Sequence, residues 1–133
     1  MTAEPAKAFE ALEGQARDLV ALFGEAGYEF VAPAIIQPAS VFLDQIGEQV
    51  RARSYVFTDL AGEELCLRPD LTVPVSRLYL ERHPRADEEA RYCYNGPAFR
   101  FQPLGPSAVH PREFRQAGVE CFGAREKAAA DVE

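Results

Sequence analysis

Strand-forming runs in this chain are joined by turns, and that connectivity constrains the fold more than any other feature. Residues 54–58 and 64–68 are strand-like, and Asp59-Leu60-Ala61-Gly62 between them carries turn chemistry, which predicts an antiparallel hairpin. Residues 91–95 and 98–101 read as strand around Gly96-Pro97, and residues 113–122 resume an aromatic, strand-forming pattern. The stretch from Gln102 to Pro111 holds Pro103, Gly105, Pro106 and Pro111 and predicts a long loop between two strands. No internal repeat and no regular alternation of strand with crossover helix appears. The fold class that follows is α+β with a mainly antiparallel sheet.

Helices are expected at fewer places. Phe9, Leu12, Ala16, Leu19 and Phe23 recur at three- and four-residue steps on one helical face, with Gly24 and Gly27 as stops. Residues 28–31 predict a short strand ended by Pro33, and Pro38, after Ile35 and Ile36, is expected to open a brief helix through residues 43–46. Asp70 or Thr72 can cap a helix that tolerates Pro74 in its first turn and runs to about His83, where Pro84 ends it. Residues 85–89 are expected to form a charged linker, and residues 124–133 to begin a further helix.

Length fits one domain over residues 1–133, and an end inside a nascent helix makes C-terminal truncation the expectation. No apolar run approaches the roughly 20 residues that span a bilayer, so no membrane is expected as a partner. The N-terminal residues lack an apolar signal core, which makes the cytoplasm the default location. Cys66, Cys93 and Cys121 lie far apart inside apolar or strand-like runs, and with only His83 and His110 beside them they predict buried free thiols and no metal site. The net charge is -7, and Lys7 and Lys127 are the only lysines, so no polybasic patch is present to track a phosphate backbone. Selective use of arginine fits either bidentate recognition of carboxylate and phosphate or a GC-rich genome.

Nucleophile elbow, Walker loop, dinucleotide turn and zinc-protease helix are all missing, so polar residues embedded in strands are the informative ones. Arg68, Asp70 and Thr72 cluster where the hairpin meets a helix, and Arg100 sits late in a strand. Gln116 and Glu120 share a strand face with Gly118, which leaves room between the two polar groups. Such a pocket suits an amino acid: carboxylates and an amide oxygen accept from an ammonium or imidazole, and an arginine fork holds a carboxylate or phosphate. The competing structural roles are a helix N-cap for Asp70 or Thr72, a cross-strand salt bridge for Arg100, and the solvated side of an amphipathic strand for Gln116 and Glu120. These residues alone leave the function undecided.

Three segments carry a resemblance. LRPDLTVPVSR at 67–77, YNGPAFRFQ at 94–102 and REFRQAGVECFG at 112–123 together resemble histidyl-tRNA synthetases and their regulatory paralogue, the regulatory subunit of ATP phosphoribosyltransferase. YEFVAPAIIQP at 28–38 is similar to the first motif of that fold. The resemblance implies a class II aminoacyl-tRNA-synthetase-like antiparallel sheet flanked by helices, a partial catalytic-type domain carrying motifs 1 and 2 only. It also implies site roles: Asp70, Thr72 and Gln116 around the α-ammonium of histidine, Glu120 on the imidazole, and Arg100 on a carboxylate or α-phosphate. Arg100, Gln102, Arg112 and Phe114 would form a nucleotide-like pocket, and Pro33 would lie at a homodimer interface.

Departures from the synthetase pattern favour the regulatory branch. Synthetases usually read LRPEGT and FRHE where this chain has LRPDLT and FRFQ, and no third motif is present to supply a second phosphate-binding arginine. Adenylate formation needs charge stabilisation on both sides of the phosphates, so no catalytic residue and no cofactor is expected. The implied role is a noncatalytic regulatory subunit acting in histidine biosynthesis. It would bind L-histidine and transmit feedback to the catalytic subunit of ATP phosphoribosyltransferase, as a homodimer within a hetero-oligomer, with no tRNA partner. Two alternatives stay open: a fragment of a histidyl-tRNA synthetase that activates histidine with ATP, and a dimerisation domain without a ligand.

Overall fold

In a computed structural model, residues 3–42 and 48–123 are described. The expected helix over residues 43–46 and the expected C-terminal helix at 124–133 lie outside the described residues. Helix α1 (Ala6–Glu25) opens the chain after Pro5. Gly24 lies inside that helix instead of stopping it, and the chain turns at Gly27. Ala16 is its one buried residue, while Phe9, Leu12 and Leu19 stay 40–48% exposed. The apolar stripe that makes α1 a helix is thus only partly used within this chain.

Next come β1 (Glu29–Phe30), β2 (Ile36–Pro38), the short α2 (Glu48–Arg51), β3 (Val56–Thr58), β4 (Glu64–Leu67), α3 (Thr72–Arg82), β5 (Ala90–Phe99) and β6 (Glu113–Phe122). They form two three-stranded sheets. In the first, of order β1-β5-β6, β1 runs parallel to β5 and β5 pairs antiparallel with β6 along its whole length, from Ala90↔Phe122 to Phe99↔Glu113. In the second, of order β2-β4-β3, every pairing is antiparallel, and β3 with β4 is the hairpin expected around Asp59. Asp59 Oδ1 accepts from both Ala61 N and Glu63 N and so holds that turn.

Two expectations need correction. Pro38 does not open a helix; it closes β2, paired with Leu65, and residues 40–42 are helical beyond it. A proline is tolerated there because β2 is an edge strand and loses no ladder bond on its open side. Gly96-Pro97 does not divide β5 into two strands either. Phe99 N donates to Arg68 O across the edge of β5 that faces away from β6, and the N–H that Pro97 lacks would point the same way. Strand β1 reaches only as far as Cys93 on that edge, so the missing donor breaks no ladder.

Helix α3 lies over the first sheet. Val31, Leu71, Val75 and Tyr79 pack there with Tyr92, Tyr94 and Ala98, and Tyr79 stacks on Phe122 at 4.4 Å. Each fully buried side chain of this size contributes about 1.5–3 kcal/mol. Cys93, on the opposite face, sits with Sγ 3.9 Å from the Tyr28 carbonyl oxygen, which explains three successive buried residues at 92–94. A smaller cluster of Ala39, Phe42 and Cys66 backs the second sheet. Cys66 and Cys93 are buried free thiols as expected, and Cys121 is half-buried. No described helix is long and apolar enough to cross a membrane.

Candidate functional site

The candidate site forms where the segment from Arg68 to Leu71 enters α3 over the β5–β6 surface. Arg68 anchors it. That guanidinium is only 4% exposed and has no carboxylate partner among the described residues; Nε donates to Pro97 O at 2.8 Å and Nη1 to Pro33 O at 2.5 Å. Its main chain bonds outward too, Arg68 N to Ile35 O and Phe99 N to Arg68 O, each at 3.0 Å. Burial pulls its pKa down from the ordinary arginine value. One residue therefore ties the Pro33 segment, the end of β4 and β5 together and sets where Asp70 and Leu71 lie.

Along β6, side chains alternate, and Phe114, Gln116, Gly118, Glu120 and Phe122 turn to the face that α3 covers. Gln116 Oε1 accepts from Leu71 N at 2.9 Å, which fixes the amide against the entrance of α3. Asp70 Oδ1 accepts from Val73 N at 3.1 Å, so the capping role and the site position belong to one carboxylate. Asp70, Thr72, Gln116 and Glu120 all come to the same end of α3. Gln116 and Glu120 are half-buried on the covered face, not on a solvated one.

Gly118 does leave space, but a side chain of the protein fills it. A Cβ at Gly118 would stand 2.7 Å from the Tyr94 hydroxyl, which is 3.3 Å from Glu120 Oε1 and 3.4 Å from Thr72 Oγ1. Tyr94 had no signal among the polar residues because a tyrosine in a strand reads as core. Its phenol is pushed above the usual tyrosine range, chiefly by burial; the Thr72 hydrogen bond opposes this, and the nearby Glu120 and Asp70 carboxylates add to the rise. A phenol held neutral this way adds stability that is complete below its unfolded value, about pH 10, and is lost as pH rises through the folded value. Chemical denaturation between pH 8 and 11 is therefore expected to show stability falling above about pH 10, with a shallower fall in Tyr94→Phe.

Arg100 lies just past the end of β5, exposed, with Nε 3.2 Å from Pro69 O and its guanidinium 5.0 Å above the Phe114 ring. No cross-strand salt bridge forms there among the described residues. Arg100 and Gln102 line an open cleft of about 720 Å³ together with Arg53, Ser107 and His110. Arg53 is brought in by its carbonyl, which accepts from Phe101 N at 2.8 Å. Neither Arg53 nor Arg100 has an ion-pair partner among the described residues, and two guanidiniums lining one cleft suit an anion. Arg53 and His110 carried no motif and were not expected here. Arg112 is exposed and joins the site only through its carbonyl, which accepts from Arg100 N at 2.8 Å. Pro33 lies half-buried on Arg68, flanked by the exposed apolar side chains Phe30, Ile35 and Ile36.

Comparison with known proteins gives consistent matches. The family model described as histidyl-tRNA synthetase matches residues 3–133. An ATP phosphoribosyltransferase regulatory subunit of Chelativorans sp. (strain BNC1) is 42% identical over 117 residues, 88% of this chain and 30% of that protein. One of the same name from Sinorhizobium medicae (strain WSM419) is 41% identical over 121 residues, 91% of this chain and 30% of that protein. The crystal structure of an ATP phosphoribosyltransferase regulatory subunit/histidyl-tRNA synthetase from Bacillus halodurans superposes with a TM-score of 0.78 at 22% identity, over 98% of this chain and 33% of that one. This last likeness concerns the fold. The chain spans about 30% of the length of the curated relatives it matches.

Proposed function

This chain belongs to the histidyl-tRNA synthetase family, and from that premise we propose that it is the histidine-sensing front portion of an ATP phosphoribosyltransferase regulatory subunit. The regulatory role is supported by relatives at 41–42% identity that bear that name. The single observation that supports a histidine pocket is the convergence of Asp70, Thr72, Gln116 and Glu120 at one end of α3, over the same face of β6. Asp70, Thr72 and Gln116 take the ammonium, Arg100 the carboxylate and Glu120 the imidazole, each within its hydrogen-bonding capacity. The cleft beside them, lined by Arg100 and Gln102, is the nucleotide-like half of the pocket, with Phe114 under the Arg100 guanidinium and Arg112 bonded to Arg100 through its carbonyl.

Feedback in such a subunit is a coupling free energy: histidine binds the inhibited assembly with the catalytic subunit more tightly than the active one. The assembly is cytoplasmic and built on a homodimer. Exposed Phe30, Ile35 and Ile36 around Pro33 support a subunit contact there, because apolar side chains grouped on a surface favour burial against a partner. Catalysis of adenylate formation is not part of the role.

Calorimetric titration of L-histidine into the purified protein tests the pocket. Saturable binding is expected, weakened at least about tenfold in Glu120→Ala, since loss of a charge-assisted acceptor leaves the imidazole N–H unpaired. Absence of binding to the wild type, or equal binding by the variant, overturns the assignment.

A further inference from the structure

Tyr94 lies midway along the pocket proposed for histidine, between Thr72 at the ammonium end and Glu120 at the imidazole end. Its ring is fixed from several sides. It is 4% exposed, its strand neighbours pair with β6 without interruption, and it stands directly over Gly118, whose missing Cβ is what admits the hydroxyl. The hydroxyl itself is held loosely. Separations of 3.3 Å and 3.4 Å exceed the 2.7–2.8 Å usual for hydroxyl hydrogen bonds, so the phenol stands between two oxygens without closing on either.

We infer that Tyr94 is a positioning residue for ligand selectivity, its hydroxyl donating to one oxygen of Glu120 and leaving the other to accept from an imidazole N–H. This inference rests on reading the pocket as a histidine site. A carboxylate accepts only, with about four lone-pair positions, and a donor lodged on one oxygen restricts which of them face the pocket. Thr72 completes the chain, since its hydroxyl can donate to the phenol oxygen while the phenol donates to Glu120. Linked hydroxyls of this kind strengthen one another when a ligand closes the network. Polar contacts that are long without ligand commonly shorten once it is bound. The ammonium end and the imidazole end are then read through one chain of side chains, and a ligand that satisfies both is favoured over one that satisfies either alone.

Replacement by phenylalanine keeps the ring over Gly118 and removes only the hydroxyl, so the fold is retained and the donor is lost. The test measures dissociation constants for L-histidine and for its two ring N-methyl derivatives, with wild type and Tyr94→Phe. In the wild type, histidine is expected to bind at least about tenfold more tightly than the derivative methylated on the nitrogen that faces Glu120, because a site built around a hydrogen bond rejects the analogue lacking it. In Tyr94→Phe that ratio is expected to fall several-fold, with histidine losing more affinity than either derivative. Equal losses for all three ligands would mean that the tyrosine only shapes the pocket, and no loss would mean that it plays no part; either result overturns the inference alone. Absence of wild-type binding to L-histidine overturns the histidine pocket itself, and this inference with it.

Discussion

Replacing Arg68 by alanine is expected to destabilise the protein by about 3–5 kcal/mol, and to lower its melting temperature by roughly 10 °C or more. The side chain is buried and its partners are backbone carbonyls, Pro97 O and Pro33 O. Hydrogen bonds from a charged donor contribute about 1.5–3 kcal/mol each, and truncation leaves both part-buried acceptors without these partners. Alanine also opens a cavity beside Gly96 and Leu71, since a Cβ at Gly96 would land on the Arg68 Nη2 atom. Arg68→Lys keeps the charge but not the planar fork, and one ammonium cannot reproduce the Nε and Nη1 geometry, so an intermediate loss is expected. Thermal unfolding followed by circular dichroism measures all three proteins. A change below about 1 kcal/mol in Arg68→Ala would show that the carbonyls find water and that the guanidinium is not an anchor.

Gly123→Ala is expected to cost about 2–4 kcal/mol, while the same change at Gly14 is expected to stabilise by up to about 1 kcal/mol. Gly123 has φ +64, a conformation that costs alanine about 1–2 kcal/mol, and its Cβ would collide with the Glu88 carbonyl, a backbone atom with little freedom to retreat. That carbonyl accepts from the Tyr79 hydroxyl at 2.6 Å, and Tyr79 stacks on Phe122, so displacement there reaches the main core. Gly14, within α1, has nothing near its Cβ position, and alanine there only reduces the freedom of the unfolded chain. Urea denaturation of both variants checks the opposite signs. Equal effects would mean that the β6 end can shift to admit a Cβ.

Particular residues show which parts of the fold could be read from local chemistry. The β3–β4 hairpin was predictable because Asp59 and Gly62 carry their own turn, and α3 because Pro74 and Pro84 bracket it with an acidic residue ahead of the first turn. Continuity of β5 was not. Gly96-Pro97 punctuates the sequence, and only the absence of a strand partner on that edge makes the proline harmless. Pro38 misled for the same reason, since its place on an edge strand depends on Leu65 across the sheet.

The candidate site divides along the same line. Polar residues set in strands, Gln116 and Glu120 with Gly118 between them, announce a pocket because period-two geometry puts them on one face whatever the rest of the chain does. Asp70 and Thr72 announce themselves by their place ahead of α3. What no local pattern could reveal is that Tyr94 would fill the notch at Gly118, that Arg53 would come beside Arg100 from a distant part of the chain, or that Arg68 would be an anchor buried among carbonyls. Those relations come from closure of the fold, through contacts whose partners lie far apart in sequence. The amino-acid order alone therefore settles most of the elements, though not all their bounds, the faces their side chains take and the family they resemble. Packing of α3 across β5 and β6 settles which of those side chains meet, because period and propensity act over a few residues while pocket geometry is set by contacts across the whole sheet.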